Sequence, residues 1–314
     1  DPKTWTIAGQ PVLRLDTVAK TTGAQIYGMD LQLPGMLNAA IRDCPIVGGK
    51  LKSFDAKAVM GLPGVKQVVR VSDTAVAVVA TTWWRAKKAL DALPIVWDEG
   101  PHARLDSAAI AQMLKAGLDA PEGLVGHTAG QPKEALAAAA RTIEAVYSFP
   151  YQNHACMEVM NATARWTPER CEVWTPTQNG EAALAATAEA AGLPAAQCEV
   201  YKIHLGGGFG RRGATDWVRQ AVAIAKALPG TPVKLVWSRE EDMQHGFYHP
   251  VTQCKLKAGV DAQGQLTALH MRISGQSILA GLFPQNMRDG LDPVVFQGLS
   301  KGGAEGTLGY AFPN

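Results

Sequence analysis

The chain has 314 residues, of which 47% are hydrophobic and 18% charged, and its formal net charge is +2. That composition excludes a disordered or fibrous chain, and a near-neutral balance without Lys/Arg clusters argues against an extended nucleic-acid surface. No run of eighteen apolar residues reads as a membrane-spanning helix, and the length suits two domains.

The chain opens at Asp1 without methionine or a signal-like apolar segment, as expected of a processed chain or a fragment. A first domain is expected from Pro11 to Gly100. Met36 to Ile41, Lys66 to Val71 and Ala75 to Ala80 read as strands, the last almost wholly apolar and therefore buried on both faces. Asp55 to Met60 and Trp83 to Leu93 read as helices, the second stopped by Pro94, and Pro94 to Asp98 as a short strand. Turn formers dominate from Gly100 to Gln131, around a helix from Ser107 to Ala116; a further helix over 132–141 leads into a strand, Arg141 to Ser148.

Five cysteines (Cys44, Cys156, Cys171, Cys198 and Cys254) contain no C-x-x-C pair, so a thiolate-held zinc or iron–sulfur site is not expected and buried thiols are. His154 and Glu158 are spaced by four, as are His245 and His249. Gly246 and Pro250 break any helix in the second pair, and for the first a His–Glu hydrogen bond fixing a loop is the expectation.

The richest stretch begins at Cys198. Cys198 to His204 alternates as a strand does, and Gly206-Gly207-Gly208-Phe209-Gly210 follows. Thr215-Asp216 is placed to cap a helix whose apolar residues, Trp217 to Leu228, recur at helical spacing until Pro229-Gly230. Unpaired N–H groups of a glycine loop and a helix start suit an anion, beside which Arg211 and Arg212 add charge; a tight turn between strand and helix is the alternative. Two nucleotide motifs fail. G-x-G-x-x-G from Gly206 would need glycine where Arg211 stands, and a phosphate loop would need lysine after Gly213, where Ala214 stands. Just upstream, Val173 to Asn179 reads as a strand entering a loop, followed by a helix, Glu181 to Ala191. If the two strands are neighbours, Gln178 and the glycine loop open on the same side.

Taken together, Val173-Trp174-Thr175-Pro-Thr-Gln178, Gly192-Leu-Pro, Gly206-Gly-Gly-Phe209-Gly, Arg239-Glu-Glu-Asp242 and His249-Pro250 resemble the molybdopterin-binding part of the xanthine dehydrogenase and aldehyde oxidase family of molybdenum hydroxylases. Gly28-Met-Asp30, Pro34-Gly-Met-Leu37, Pro63-Gly-Val65 and Val96-Trp97-Asp98 resemble the α/β hammerhead domain that precedes it. Arg211-Arg212 and His154 to Glu158 are most similar to the branch holding isoquinoline 1-oxidoreductase β subunits, with membrane-bound aldehyde dehydrogenase large subunits beside it.

The resemblance implies an α+β fold: a hammerhead domain over 1–100, a linker with helices over 101–140, and over 141–314 the first part of a molybdopterin-binding domain with mixed sheets and packed helices. It implies hydroxylation of an N-heterocycle, or oxidation of an aldehyde, with water as oxygen source. A non-catalytic scaffold binding a dinucleotide-like ligand is the alternative. The implied cofactor is molybdopterin, in the cytosine dinucleotide form. Implied partners are a small subunit with two [2Fe–2S] clusters and a small-molecule substrate, with a cytochrome c as one electron acceptor the family allows. No nucleic acid is expected, and a bacterial periplasmic or membrane-associated setting is favoured over the cytoplasm. Cofactor-binding positions carried over are Gln178, whose amide would donate to an oxygen on the metal, with Gly207, Gly208, Phe209, Gly210, Arg211 and Arg212; no residue is expected to ligate the metal directly. Gly213 stands where xanthine-type members hold an acidic substrate-binding residue, which disfavours purines. The family's general-base glutamate is expected beyond Asn314, leaving these residues catalytically incomplete, and Glu305, in Gly302-Gly-Ala-Glu305-Gly306, reads as a surface turn.

Overall fold

The all-apolar stretch Ala75–Ala80 is the buried strand that its composition requires, and each of its six residues is buried. It lies in a computed structural model that describes residues 1–296 and 313–314; Glu305 falls outside the described residues. The chain divides into two compact units that alternate along the sequence: Asp1–Ala103 with His154–Phe247, and Arg104–Asn153 with Tyr248–Asn314. These bodies are grouped by packing, whereas the expected division near residues 100 and 140 follows chain order.

The first unit begins with α1 (Thr17–Thr21), β1 (Leu37–Asp43), β2 (Lys50–Phe54), α2 (Lys57–Met60), β3 (Val65–Arg70), β4 (Ala75–Ala80), α3 (Trp83–Ala92) and β5 (Ile95–Asp98). The second unit contributes α4 (Ser107–Asp119), α5 (Pro132–Ala138) and β6 (Arg141–Phe149). The first resumes with β7 (Asn161–Trp166), β8 (Cys171–Thr175), α6 (Gly180–Ala191), β9 (Cys198–Lys202), α7 (Asp216–Lys226), β10 (Val233–Val236) and α8 (Arg239–Gln244). The second closes with β11 (Thr252–Val260), β12 (Leu266–Gly275) and α9 (Ile278–Leu282).

Within the first unit a mixed seven-stranded sheet runs β3-β4-β1-β10-β7-β8-β9. β1 and β10 are parallel, as are β8 and β9, and the other neighbours are antiparallel. One face packs on α7, whose Trp217, Val218, Ala221, Val222, Ile224 and Ala225 fall at helical spacing and are buried. Around α3 a second cluster forms from Val76, Val78, Leu90 and Leu93. β2, which the sequence reading missed, pairs with β5 in a small separate sheet.

The second unit is built on an antiparallel sheet, β12-β11-β6. Its β11–β12 hairpin turns at Asp261, whose carboxylate accepts the N–H groups of Gln263 and Gln265 at 2.9 and 2.8 Å, with Gly264 at φ +80°. Asp106 caps α4 by accepting the Ala109 N–H at 2.8 Å.

One local expectation is corrected. Thr215 precedes α7 but its side chain makes no capping bond, and a 3₁₀ turn, Arg211–Gly213, separates the glycine loop from the helix. The helix start is instead complemented by Asp216 in its first turn, paired with Arg211.

Candidate functional site

The parallel pairing of β8 and β9, in register from Cys171↔Cys198 to Thr175↔Lys202, carries their two following loops out at the same end of the sheet. The Ile203 N–H donates to the Thr175 carbonyl, extending the pairing toward the loops. There they join. The Gln178 N–H donates to the Arg212 carbonyl at 3.0 Å, and the Thr177 hydroxyl donates to the same oxygen at 3.2 Å. In return, Gln178 Oε1 accepts the N–H groups of Gly210 at 3.1 Å and Arg212 at 3.2 Å. Both of these donors are backbone N–H groups, so the side-chain oxygen must face them and the NH2 group faces away. Gln178 is exposed, and its amide nitrogen is thus presented as a donor by a carbonyl held from behind.

The glycines are needed for two different reasons. Gly207 and Gly210 hold φ values of +102° and +97°, in the left-handed region. At Gly206 a Cβ would collide with the Cβ of Glu158, and at Gly208 one would lie 2.6 Å from Gln178 Oε1. Phe209 also has a positive φ, +52°, an uncommon strain for an aromatic residue, and is 75% exposed. The N–H groups of Gly206, Gly210, Arg211 and Arg212 are engaged within the protein. Those of Gly207, Gly208 and Phe209 have no partner among the described residues. Bare N–H groups beside the Gln178 amide form an array of neutral donors suited to an oxygen-rich, electron-dense ligand.

The two arginines do not add charge beside this array, contrary to expectation. Arg211 and Arg212 are buried, at 2% and 0% exposure. Arg211 makes two bonds to the Asp216 carboxylate, at 2.9 and 2.7 Å, with its guanidinium over the rings of Trp217, Trp237 and Phe247. Arg212 runs beneath the loop, giving Nε to the Gly207 carbonyl at 2.8 Å and Nη2 to the Glu158 carbonyl at 2.6 Å. Burial pulls the Arg212 pKa down, and the Glu158 carboxylate opposes this. Their positive charges are spent inside the fold, and what faces the opening from this segment is backbone.

The expected His154–Glu158 hydrogen bond is also corrected. Residues 154–158 are not helical, and the Glu158 carboxylate takes the Met29, Asn161, Gly206 and Arg212 donors. Cys156 is buried, which raises its thiol pKa, and the thiol donates to the Gly208 carbonyl at 3.4 Å. Arg239, at the start of α8, supports the same segment by donating to the Cys156 and Met157 carbonyls at 2.7 and 2.9 Å. No local signal marks these supports, because all but the Asn161 bond span dozens of residues in sequence.

Comparison with known proteins matches residues 118–278, just over half of the chain, to the molybdopterin cofactor-binding domain. The chain is 28% identical over 293 residues to the β subunit of isoquinoline 1-oxidoreductase from Brevundimonas diminuta, covering 90% of this chain and 37% of that protein. It is 26% identical to a nicotinate dehydrogenase subunit of Pseudomonas putida, covering 92% of this chain and 25% of that one. The fold resembles quinoline 2-oxidoreductase from Pseudomonas putida 86, with a TM-score of 0.66 at 21% identity over 83% of this chain and 38% of the other. Aldehyde oxidoreductase from Desulfovibrio gigas gives 0.67 at 19% identity, over 83% and 33%. The chain therefore spans little more than a third of these proteins, or less.

Proposed function

Because the chain belongs to the molybdopterin cofactor-binding domain family, we propose that it forms one wall of the cofactor site in the large subunit of a molybdenum hydroxylase. The observation that carries this reading is the Gln178 amide, pinned through its oxygen by Gly210 and Arg212 beside the bare N–H groups of Gly207, Gly208 and Phe209. The cradle fits such a group: the missing Cβ atoms at Gly206 and Gly208 let the loop lie directly against Glu158 and Gln178, and the donors it leaves bare beside the Gln178 amide are uncharged backbone N–H groups.

When bound, the cofactor supplies the two-electron redox chemistry of the reaction. The chain's own residues bind and orient it. Gln178 would offer its NH2 group to an oxygen-bearing group of the cofactor, and the N–H groups of Gly207, Gly208 and Phe209 would add partial positive charge beside it. Neutral donors held by a rigid frame need no reorganisation as the cofactor's charge changes.

The substrate class we assign is an N-heterocyclic aromatic or an aldehyde, with the added oxygen drawn from water; the names of the relatives support it. The cytosine dinucleotide form of the cofactor, a small [2Fe–2S] partner subunit and a cytochrome c acceptor complete the proposal. So does the division into a hammerhead domain over 1–100, a helical linker over 101–140 and the first part of the cofactor-binding domain over 141–314. The test is to produce the full natural chain with its iron–sulfur partner, then measure molybdenum and pterin, and oxidation of quinolines, nicotinate and aldehydes in ¹⁸O-water. A metal-free, pterin-free product from cells that load related enzymes would reject the reading.

A further inference from the structure

We propose that Glu158 and Arg212 act together as the positioning element of this site, a buried carboxylate–guanidinium clamp that fixes the glycine loop against the Gln178 segment. The inference rests on the reading of the loop as a cofactor cradle, and it concerns how that cradle keeps its shape.

Arg212 grips three stretches of backbone at once. Its Nε donates to the Gly207 carbonyl at 2.8 Å, in the glycine loop. Nη1 donates to the Pro176 carbonyl at 3.4 Å, two residues before Gln178. Nη2 reaches the carbonyls of Glu158 at 2.6 Å and Val159 at 3.3 Å, together with Glu158 Oε2 at 3.2 Å. The same residue's backbone N–H and carbonyl are the ones that hold Gln178. A planar fork with five donors can serve several carbonyls in fixed directions, whereas an ammonium on a flexible stem cannot.

Glu158 closes the clamp from the other side. Its Oε2 accepts the Gly206 N–H at 2.8 Å, and its own N–H donates back to the Gly206 carbonyl at 3.0 Å. Its Oε1 accepts the Met29 N–H at 3.1 Å and Asn161 Nδ2 at 3.0 Å. The loop can rest against this carboxylate because residue 206 is glycine. Both side chains are buried, at 0% and 6% exposure, so neither offers charge to a ligand. A buried ion pair adds little net stability once desolvation is counted, but it penalises every arrangement that separates its members. Here those arrangements are the ones in which the loop slides away from Gln178.

The experiment uses the full natural chain with its iron–sulfur partner, as wild type, Glu158→Gln, Arg212→Lys and the double variant. Amide hydrogen exchange is read by mass spectrometry over 176–179 and 206–213, with β4 and β10 as internal references, and molybdenum content is read alongside. The expected result is exchange about tenfold or more faster in the two loop segments, unchanged in β4 and β10. The double variant should be little worse than either single, since both break one unit. Arg212→Lys retains the charge and should still lose cofactor, which separates positioning from direct attraction of an anion. Wild-type loop exchange in both singles overturns the clamp, as does an equal rise in β4 and β10, which would make the pair a general stabiliser. Should Arg212→Lys fail to fold, the near-isosteric Glu158→Gln decides on the same criteria. A wild-type protein lacking molybdenum would sink the functional reading instead, leaving the exchange result to judge the clamp.

Discussion

Gln178 and Arg212 hold each other in both directions: the Gln178 N–H donates to the Arg212 carbonyl at 3.0 Å, and the Arg212 N–H donates to Gln178 Oε1 at 3.2 Å. The exchange turns a surface glutamine into an oriented donor, because its oxygen has no freedom to swap places with its nitrogen. Two loops from adjacent parallel strands thereby become one surface, and the site's chemistry depends on that junction.

If the NH2 group of Gln178 is the working part, removing it costs turnover more than cofactor. In the full enzyme, Gln178→Glu keeps an acceptor for Gly210 and Arg212 but replaces the outward donor with a carboxylate oxygen. Turnover should fall by roughly 10²-fold, the scale for one lost preorganised donor, while molybdenum content falls less than twofold. Metal analysis and steady-state kinetics on the same preparation check this, and unaltered kinetics would remove Gln178 from its assigned role.

Gly208 tests the fit of the cradle. Its φ is not in the left-handed region, so an added methyl meets no backbone strain there, only Gln178 Oε1 at 2.6 Å and Cδ at 2.8 Å. Gly208→Ala should displace the glutamine side chain and cost about 1–3 kcal/mol, as overpacking does. Gly213→Ala is the matched control, since nothing lies within 4 Å of that position. Denaturant unfolding of both variants decides the point: equal midpoints would mean that Gln178 moves aside freely.

Much of this was legible in the sequence, for identifiable reasons. Consecutive elements tend to be neighbours in a sheet, so the strands before Gln178 and Gly206 could be placed side by side, and period-2 alternation or unbroken apolarity marked β9 and β4. Patterning failed at β7 and β2 for different reasons. β7 carries Asn161 and Thr163, each about 1% exposed, and so lacks the look of a central strand. β2 is five residues long with only Leu51 buried, and no apolar run marks it. The arginines show the other limit: composition reveals that charge is present at 211 and 212, but not that both side chains turn inward toward Asp216 and Glu158.

The aromatic enclosure of Arg211 predicts a stability defect at a residue that faces no ligand. Arg211→Lys loses the paired bonds to Asp216 and leaves an ammonium among Trp217, Trp237 and Phe247. A loss of about 1–3 kcal/mol is expected, within the range for a broken charged hydrogen-bond pair. Near-ultraviolet circular dichroism should change with it, because two of the three rings are tryptophans. A variant as stable as wild type would show that the enclosure contributes little.

The last prediction concerns pH. Glu241 lies in α8 with Oε1 accepting the Asp43 N–H at 2.6 Å, and His245 Nε2 is 3.5 Å from the same oxygen. Burial pushes the Glu241 carboxyl up to about 8 from an ordinary 4.5, with the nearby Asp43 charge also raising it and Arg42 and Lys87 lowering it. The folded state therefore favours the protonated acid. Its contribution to stability is complete below pH 4.5 and is lost as pH rises toward 8. His245, whose pKa burial depresses, works in the opposite sense: the fold favours its neutral form, and stability from it is lost as pH falls below about 6.5. Glu241→Gln keeps an acceptor for Asp43 and retains His245, so the difference between the two proteins isolates the carboxyl to first order. From pH 5 to pH 9 the wild type should lose stability relative to the variant, by at most about 5 kcal/mol for a shift of this size. Urea unfolding of both proteins at pH 5, 7 and 9 measures that difference. A difference independent of pH would mean that Glu241 is ionised in the fold, with its charge matched by a partner other than the Asp43 backbone.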